Sequence, residues 1–257
     1  MARETGGTVR AVDHAFAILR ELYDEDGASL AELAARVDLS KSTIHSHLQT
    51  LEGLGYVTRR GSEYDLGLRF LTFGGYVRDK DRLYQVAKEG ADELAEKTGE
   101  LAAVSTEAAG ENLYLYQAEG PNAMSLDSHV GARLPLHCTA TGKAILAELP
   151  DERVEAILDK RGLPAATENT ITDREALYDE LETIEERGIA FDNEERIAGM
   201  RGVGSAIVHG ECGTVIGAIG ITGPTNRIAG DKYETEIPEL ISSITRMVEI
   251  NVTYARS

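Results

Sequence analysis

Cysteine is scarce in this chain of 257 residues. Cys138 and Cys212 stand 74 positions apart, which matches neither the short spacing of zinc ligands nor the count of a disulfide framework. Both are expected to be small, reduced, partly buried side chains, with no metal bound. No apolar run is long enough to span a bilayer, and the opening MARETGGTVR carries no apolar leader segment. The expectation is a cytoplasmic protein with no membrane partner. Internal repeats and low-complexity tracts are absent too.

Lysine is also rare, at 7 of the 26 basic residues, while acidic residues number 44 and the net charge is −18. A lysine-poor, carboxylate-rich surface fits a protein adapted to molar intracellular salt, where the Debye length is about 3 Å and self-repulsion is screened. A halophilic source is therefore expected. So acidic a chain looks wrong for a nucleic-acid binder, which normally needs a basic surface. The distribution qualifies this: residues 1–70 hold 8 basic and 11 acidic residues, and the remaining 18 and 33 lie beyond.

What the chain does have is ASLAELAARVDLSKSTIHSHLQTL, residues 28–51. Leu30, Leu33, Ala34 and Val37 repeat as one face of a helix, with Ser29 and Glu32 spaced as a capping box. Asp38, Leu39 and Ser40 make a turn, and Ser40 caps a second helix with Ile44, Leu48 and Leu51 inward. Lys41, Ser42, Thr43, His45, Ser46 and Gln49 are left outward or sideways, a small polar face suited to a major groove. Val57 onward reads as a strand, Arg59 to Ser62 as a basic turn, and Glu63 to Leu66 as the return strand. That two-stranded wing makes the motif a winged helix-turn-helix, with Arg59 and Arg60 facing phosphate or the minor groove.

Before it, residues 8–23 predict a helix with Val12, Ala15, Phe16, Leu19 and Leu22 or Tyr23 inward, and Arg10 in reach of a phosphate. His14 reads as a surface residue. Residues 67–75 close the domain, and Asp79 to Lys97 predict a linker helix, covering the next domain or pairing with a twin. Two-residue periodicity then marks strands at 101–108, 112–119, 124–130 and 133–137. Helices follow at 139–149, after Pro150 through Arg161, and at 172–187, the last opened by the capping pattern Thr172 to Glu175. Strands at 188–192, 202–209 and 214–222 precede a final helix from Gly230 to about Tyr254. Its inward stripe is Ile237, Leu240, Ile241, Ile244, Met247 or Val248, and Asn251 or Val252. Hairpins with peripheral helices imply an α+β fold on an antiparallel sheet.

An enzyme is the rival class. His137 beside Cys138 suggests a thiol and a base, but neighbours on a strand point to opposite faces. Ser125, Asp127 and His129 are too local to argue a triad. No catalytic residue and no cofactor is expected. A second alternative is a ligand-sensing oligomerisation module acting through protein partners; the polar outward face of 41–51, lacking an aromatic anchor, argues against it.

Taken together, RLPLHCTATGKAILAELP (133–150), GIAFDNEERIAGMRGVGSAIV (188–208) and GAIGITGP (217–224) resemble the signature of the isocitrate-lyase-regulator (IclR) family of transcriptional regulators. AVDHAFAILREL and LSKSTIHSHLQTLEGLGYV resemble the same family's winged helix-turn-helix. The resemblance implies a DNA-binding domain over residues 1–75, a linker helix over 76–98 and a GAF-like effector-binding domain over 99–257, assembled as a homodimer or a dimer of dimers. Carried over residue by residue, it implies an effector pocket with Leu126 and Leu134 on the apolar side and Ala140, Thr141 and Gly142 at a helix start. Asp192, Met200, Gly202, Gly220 and Thr222 complete it. Free N–H groups and the positive dipole end around Thr139 to Gly142 suit a carboxylate. Better-known members place a cysteine or serine where this chain has Gly202 and Gly220, so an enlarged site and a bigger acid, aromatic or sugar-derived, are expected.

The expected function is sequence-specific regulation of transcription, with operator binding modulated by a small organic or sugar acid. Ser42, Thr43, Ser46 and His45 or His47 are expected at base edges, with Arg10, Ser40, Lys41, Gln49, Arg59 and Arg60 at phosphates. Two such heads would read half-sites about 34 Å apart on double-stranded DNA.

Overall fold

A computed structural model describes residues 9–126 and 128–254, which form two compact units, Met1–Val77 and Arg78–Ser257. In unit 1, α1 (Arg10–Asp24), α2 (Leu30–Arg36) and α3 (Lys41–Gly53) stand with a sheet of β1 (Ala28–Ser29), β2 (Val57–Arg60) and β3 (Glu63–Leu66) in the order β1-β3-β2. The sheet thus has three strands rather than the two of the expected wing, because Ala28 pairs with Tyr64 and Ser29 with Glu63. Ser29 accepts from Glu32 N–H at 3.3 Å while the Glu32 carboxylate accepts from Ser29 N–H at 2.8 Å, the expected capping box. Ile44, Leu48 and Leu51 all turn inward onto Ile18, Leu22, Leu33, Val57 and Tyr64. Each fully buried aliphatic side chain there contributes about 1.5–3 kcal/mol.

The first helix departs from the expected stripe. Ile18, Leu19 and Leu22 are buried, whereas Val12 and Phe16 are 51% and 59% exposed and Tyr23 is also exposed. A helix with apolar residues on two faces gives periodicity no means of telling which face is internal. The segment Phe70–Asp79 forms α4, on which Leu71, Phe73 and Val77 are likewise exposed.

Unit 2 is built on six antiparallel strands in the order β6-β5-β4-β9-β8-β7. They are β4 (Leu101–Ala108), β5 (Glu111–Glu119), β6 (Arg133–Leu134), β7 (Ala190–Asn193), β8 (Met200–His209) and β9 (Thr214–Pro224). Alternation divides each strand between two faces. Ala102, Val104, Val203, Ile207, Ile219 and Ile221 pack under α5 (Arg82–Thr98) and α9 (Ile237–Tyr254). Residues of opposite parity face α6 (Ala140–Ala147), which joins α7 (Asp151–Arg161) and α8 (Arg174–Arg187) in a second core of Ile145, Leu146, Ile157, Leu177 and Leu181. The helix expected over 79–97 buries Leu83, Ala87, Ala91 and Leu94 in the first of these cores.

Several local expectations fail for identifiable reasons. Among the described residues of the strands expected over 124–130 and 133–137, only Arg133–Leu134 finds a ladder, against Leu113 and Asn112. Helix α8 is capped by Asp173, which accepts from Ala176 N–H at 3.0 Å, not by Thr172. A π-helical turn at Lys232–Glu236 precedes α9, whose buried stripe is Ile237, Ile241, Ile244, Val248 and Val252, with Met247 exposed. Cys138 is buried but Cys212, in the β8–β9 hairpin, is exposed. His137 and Cys138 lie in a turn rather than a strand, and burial pushes the Cys138 thiol up to about 12, leaving it a protonated, unreactive group. Asp127 lies outside the described residues.

Candidate nucleic-acid interface and ligand pocket

Helix α3 begins on a local hydroxyl cluster. Ser40 Oγ accepts from Thr43 N–H at 3.2 Å and lies 2.9 Å from Ser42 Oγ and 2.8 Å from Thr43 Oγ1. Lys41, Ser42, Ser46 and Gln49 are exposed, and Thr43 and His45 half-buried. The Ser46 hydroxyl donates to Ser42 O at 3.0 Å, the back-bond that lets a serine sit inside a helix and keeps its oxygen as an acceptor outward. His47 is turned toward α1, its ring 5.8 Å from that of His14 in an edge-to-face pair. Arg10 is exposed at the start of α1. At the wing, Arg59 lies over the Tyr64 ring and donates from Nε to Gly61 O at 2.9 Å, so its guanidinium is held in place. The Arg60 side chain is exposed and has no hydrogen bond or ion pair among the described residues.

In unit 2 the start of α6 closes over the sheet. Thr139 caps the helix, accepting from Gly142 N–H at 3.1 Å, and Asn112 Nδ2 donates to the Thr139 and Thr141 hydroxyls at 3.1 and 2.9 Å. Between this first turn and the loop after β7 lies a pocket walled by Tyr114, Gln117, Leu126, Asp192, Arg196 and Met200. It leaves about 20 Å³ for the centres of water molecules, room for about one. A ligand of several heavy atoms enters only if a wall moves.

Beneath the loop sits a charge network. Lys143, only 1% exposed, donates from Nζ to Glu195 Oε1 at 2.6 Å and to Glu180 Oε1 at 3.2 Å. Glu195 in turn donates its backbone N–H to Asp192 Oδ1 at 2.8 Å. Burial pushes the Asp192 carboxyl up to about 7, the Glu195 N–H opposing the shift and the Glu195 charge adding to it. Glu195 is also raised by burial, against the pull of Lys143. A pocket lined by a carboxyl that burial makes easier to protonate, by Arg196 and by a helix N-terminus offers both a hydrogen-bond donor and positive potential.

Comparison with known proteins supplies the decisive observation. Residues 76–249 match the family described as Bacterial transcriptional regulator IclR C-terminal, and residues 11–61 match the IclR helix-turn-helix domain. The chain belongs to the IclR family. It is 31% identical over 251 residues to a probable HTH-type transcriptional regulator ArcR of Halobacterium salinarum, covering 96% of this chain and 95% of that one. The crystal structure of the Thermotoga maritima IclR superposes with a TM-score of 0.77 at 27% identity, over 95% of this chain and 99% of that one. An IclR homologue of Microbacterium hydrocarbonoxydans, solved as a complex with 4-hydroxybenzoate, shares the fold with a TM-score of 0.79 at 23% identity, over 94% and 98%. Like its family, this protein is a DNA-binding transcriptional regulator with a C-terminal effector-binding domain.

Of the positions carried over from the IclR resemblance, Leu126, Ala140, Thr141, Asp192, Met200, Gly220 and Thr222 line this one pocket. Leu134, Gly142 and Gly202 do not. The glycines do not enlarge the site either. A Cβ on Gly220 would lie 2.5 Å from Val203 O and 2.9 Å from Thr141 Cγ2, and one on Gly202 would lie 3.3 Å from Ala140 Cβ. Gly220 pairs with Gly204 across β8 and β9, and together these residues seat the first turn of α6 on the sheet. Gly142 is equally confined, since a Cβ there would lie 2.2 Å from Leu136 O, and its N–H is taken by the Thr139 cap. The N–H groups left for an anion are therefore those of Ala140 and Thr141. Gly220→Ala is expected to lower the stability of unit 2 by about 1–3 kcal/mol, read from urea unfolding, because backbone must shift to admit the methyl; an unchanged midpoint would show that the seat is loose.

Sequence reasoning missed Arg196, Gln117, Ser128 and Tyr114. Arg196 sits in the acidic run DNEER, and Gln117 donates to Ser128 at 2.9 Å across segments 11 residues apart, a pairing with no periodic signal. Lys143, which no local pattern sets apart, is buried because α6 is packed between sheet and α8.

Proposed function

We propose that unit 1 reads an operator as half of a dimer and that the pocket of unit 2 takes a small organic acid whose binding changes operator occupancy. The observation that carries the effector class is the convergence of Arg196, the α6 start and the protonatable Asp192 on one enclosed space. The relative that binds 4-hydroxybenzoate makes a hydroxy-aromatic acid one class to try, beside 2-oxo acids and sugar acids. Pairing of two chains is supported by the apolar side chains exposed on unit 1, Val12 and Phe16 on α1 and Leu68, Leu71, Phe73 and Val77 at or beside α4. Ser42, Thr43, Ser46 and His45 are assigned to base edges, and Lys41, Gln49, Arg59, Arg60 and Arg10 to phosphates. Ser40 serves first as a cap, and His47 packs on α1.

The acidic composition and the relative in Halobacterium salinarum favour a cytoplasm rich in KCl as the working environment. Salt of that strength suppresses the gain from counterion release, so base contacts and dimer geometry carry more of the affinity. The test is anisotropy of labelled DNA from upstream of the protein's own gene, in molar KCl, with each acid in turn. One class is expected to shift the binding midpoint, and Thr141→Val is expected to abolish that shift while leaving DNA binding intact. Occupancy indifferent to every acid class would overturn the effector assignment.

A further inference from the structure

The pocket around Asp192 is not the roomiest space in unit 2. A second one, with about 180 Å³ for water centres, opens beside the turn leading into α6. Leu136 and His137 of that turn line it, with Leu146 of α6 and Ile157, Leu158 and Arg161 of α7. An enclosed apolar space of about 150 Å³ suffices to take up benzene. The wall is largely aliphatic apart from the ion-paired Glu111 and Arg161, with one buried polar exception.

That exception is His137, 3% exposed, with Nε2 3.1 Å from Pro164 O. A carbonyl only accepts, so Nε2 carries the hydrogen. Burial lowers the imidazole's pKa, with the Lys143 charge adding to the shift, so the ring is neutral and Nδ1 is a bare acceptor. No donor meets Nδ1 among the described residues. Arg161, the one cation of the lining, is already spent on Glu111 Oε2 and Ala109 O, both at 2.9 Å. Its charge is balanced by Glu111, so nothing in the cavity favours an anion.

We propose that this cavity is a second small-molecule site, for an uncharged aromatic alcohol whose hydroxyl donates to His137 Nδ1 while its ring fills the space between Leu136, Leu146, Ile157 and Leu158. The chemistry differs from that of the first pocket, which offers a cation and donors to an acid. The proposal does not depend on the acid reading.

Phenol is the probe, titrated calorimetrically into the full chain in molar KCl, with the histidine ring nitrogens followed by long-range proton–nitrogen correlation. One phenol per chain is expected, toluene should bind at least about tenfold more weakly for want of the hydroxyl, and the His137 Nδ1 resonance should move on saturation. Ile157→Phe, which fills the space, should abolish binding, and Met200→Ala in the other pocket should leave it within about twofold. Should Ile157→Phe fail to fold, the His137 shift in the parent protein decides alone. Saturation without a His137 shift, toluene binding as well as phenol, or loss of binding through Met200→Ala would each overturn the proposal, as would a cavity that holds water only and takes no phenol.

Discussion

Lys143→Met should cost unit 2 about 3–5 kcal/mol, the range for removing one partner of a buried ion pair. The methylene stem is replaced almost atom for atom, so the loss is electrostatic. Glu195 loses its cation while Glu180 keeps Arg187 at 3.3 Å, and Glu195, 6% exposed, already has one carboxylate oxygen without a partner. Loss of Lys143 would push its pKa further up, so the damage should shrink as pH falls and Glu195 takes a proton. Lys143→Met combined with Glu195→Gln should recover most of the stability, because the stranded charge is gone. Urea unfolding at pH 5 and pH 8 reads all of this. A cost under about 1 kcal/mol at both pH values would mean that water reaches the pair.

Asp192→Asn should give the opposite sign. In the unfolded chain an aspartate titrates near 3.9, whereas the folded protein holds this proton to about 7. Between about pH 4 and 7 the folded state therefore binds a proton that the unfolded state has released. The stability contributed by Asp192 is complete below that window and is lost as pH rises through it. At about 1.36 kcal/mol per unit, the difference has a ceiling of ~4 kcal/mol. The amide keeps an acceptor for Glu195 N–H and cannot ionise, so the variant should match the parent near pH 4 and exceed it at pH 8. The same titration should weaken an acidic effector above pH 7 in the parent and not in the variant. Equal stabilities at pH 8 would place Asp192 in water.

These two residues mark the limit of what the sequence discloses. Where a helix must satisfy its own N-terminus and bury one stripe, as around Ser29, Glu32, Ser40, Ile44 and Leu48, local rules and tertiary structure agree, and the DNA-reading half was legible. Which apolar side of α1 turns inward was not, since Val12 and Phe16 look as apolar as Ile18 and Leu22. Position in the chain is equally silent on depth. Lys143 is an ordinary helix lysine until α8 and the loop after β7 close over it, and Gly220 looks like spare room until Val203 O and Thr141 are set 2.5 and 2.9 Å from its absent methyl. The alternation over 124–137 predicted strands, but among the described residues only Arg133–Leu134 pairs with the β5 edge.

The central claim is that the polar flank of α3 enters duplex DNA, and Ser46→Glu tests it most directly. Ser46 is exposed, and the Thr50 hydroxyl that bonds there uses Ser46 O, which the substitution keeps. Stability should change by less than about 0.5 kcal/mol, while a carboxylate set against the bases and phosphates should cut affinity for the upstream DNA by at least roughly 100-fold. Undiminished binding by the folded variant, measured by anisotropy in molar KCl, would contradict the account.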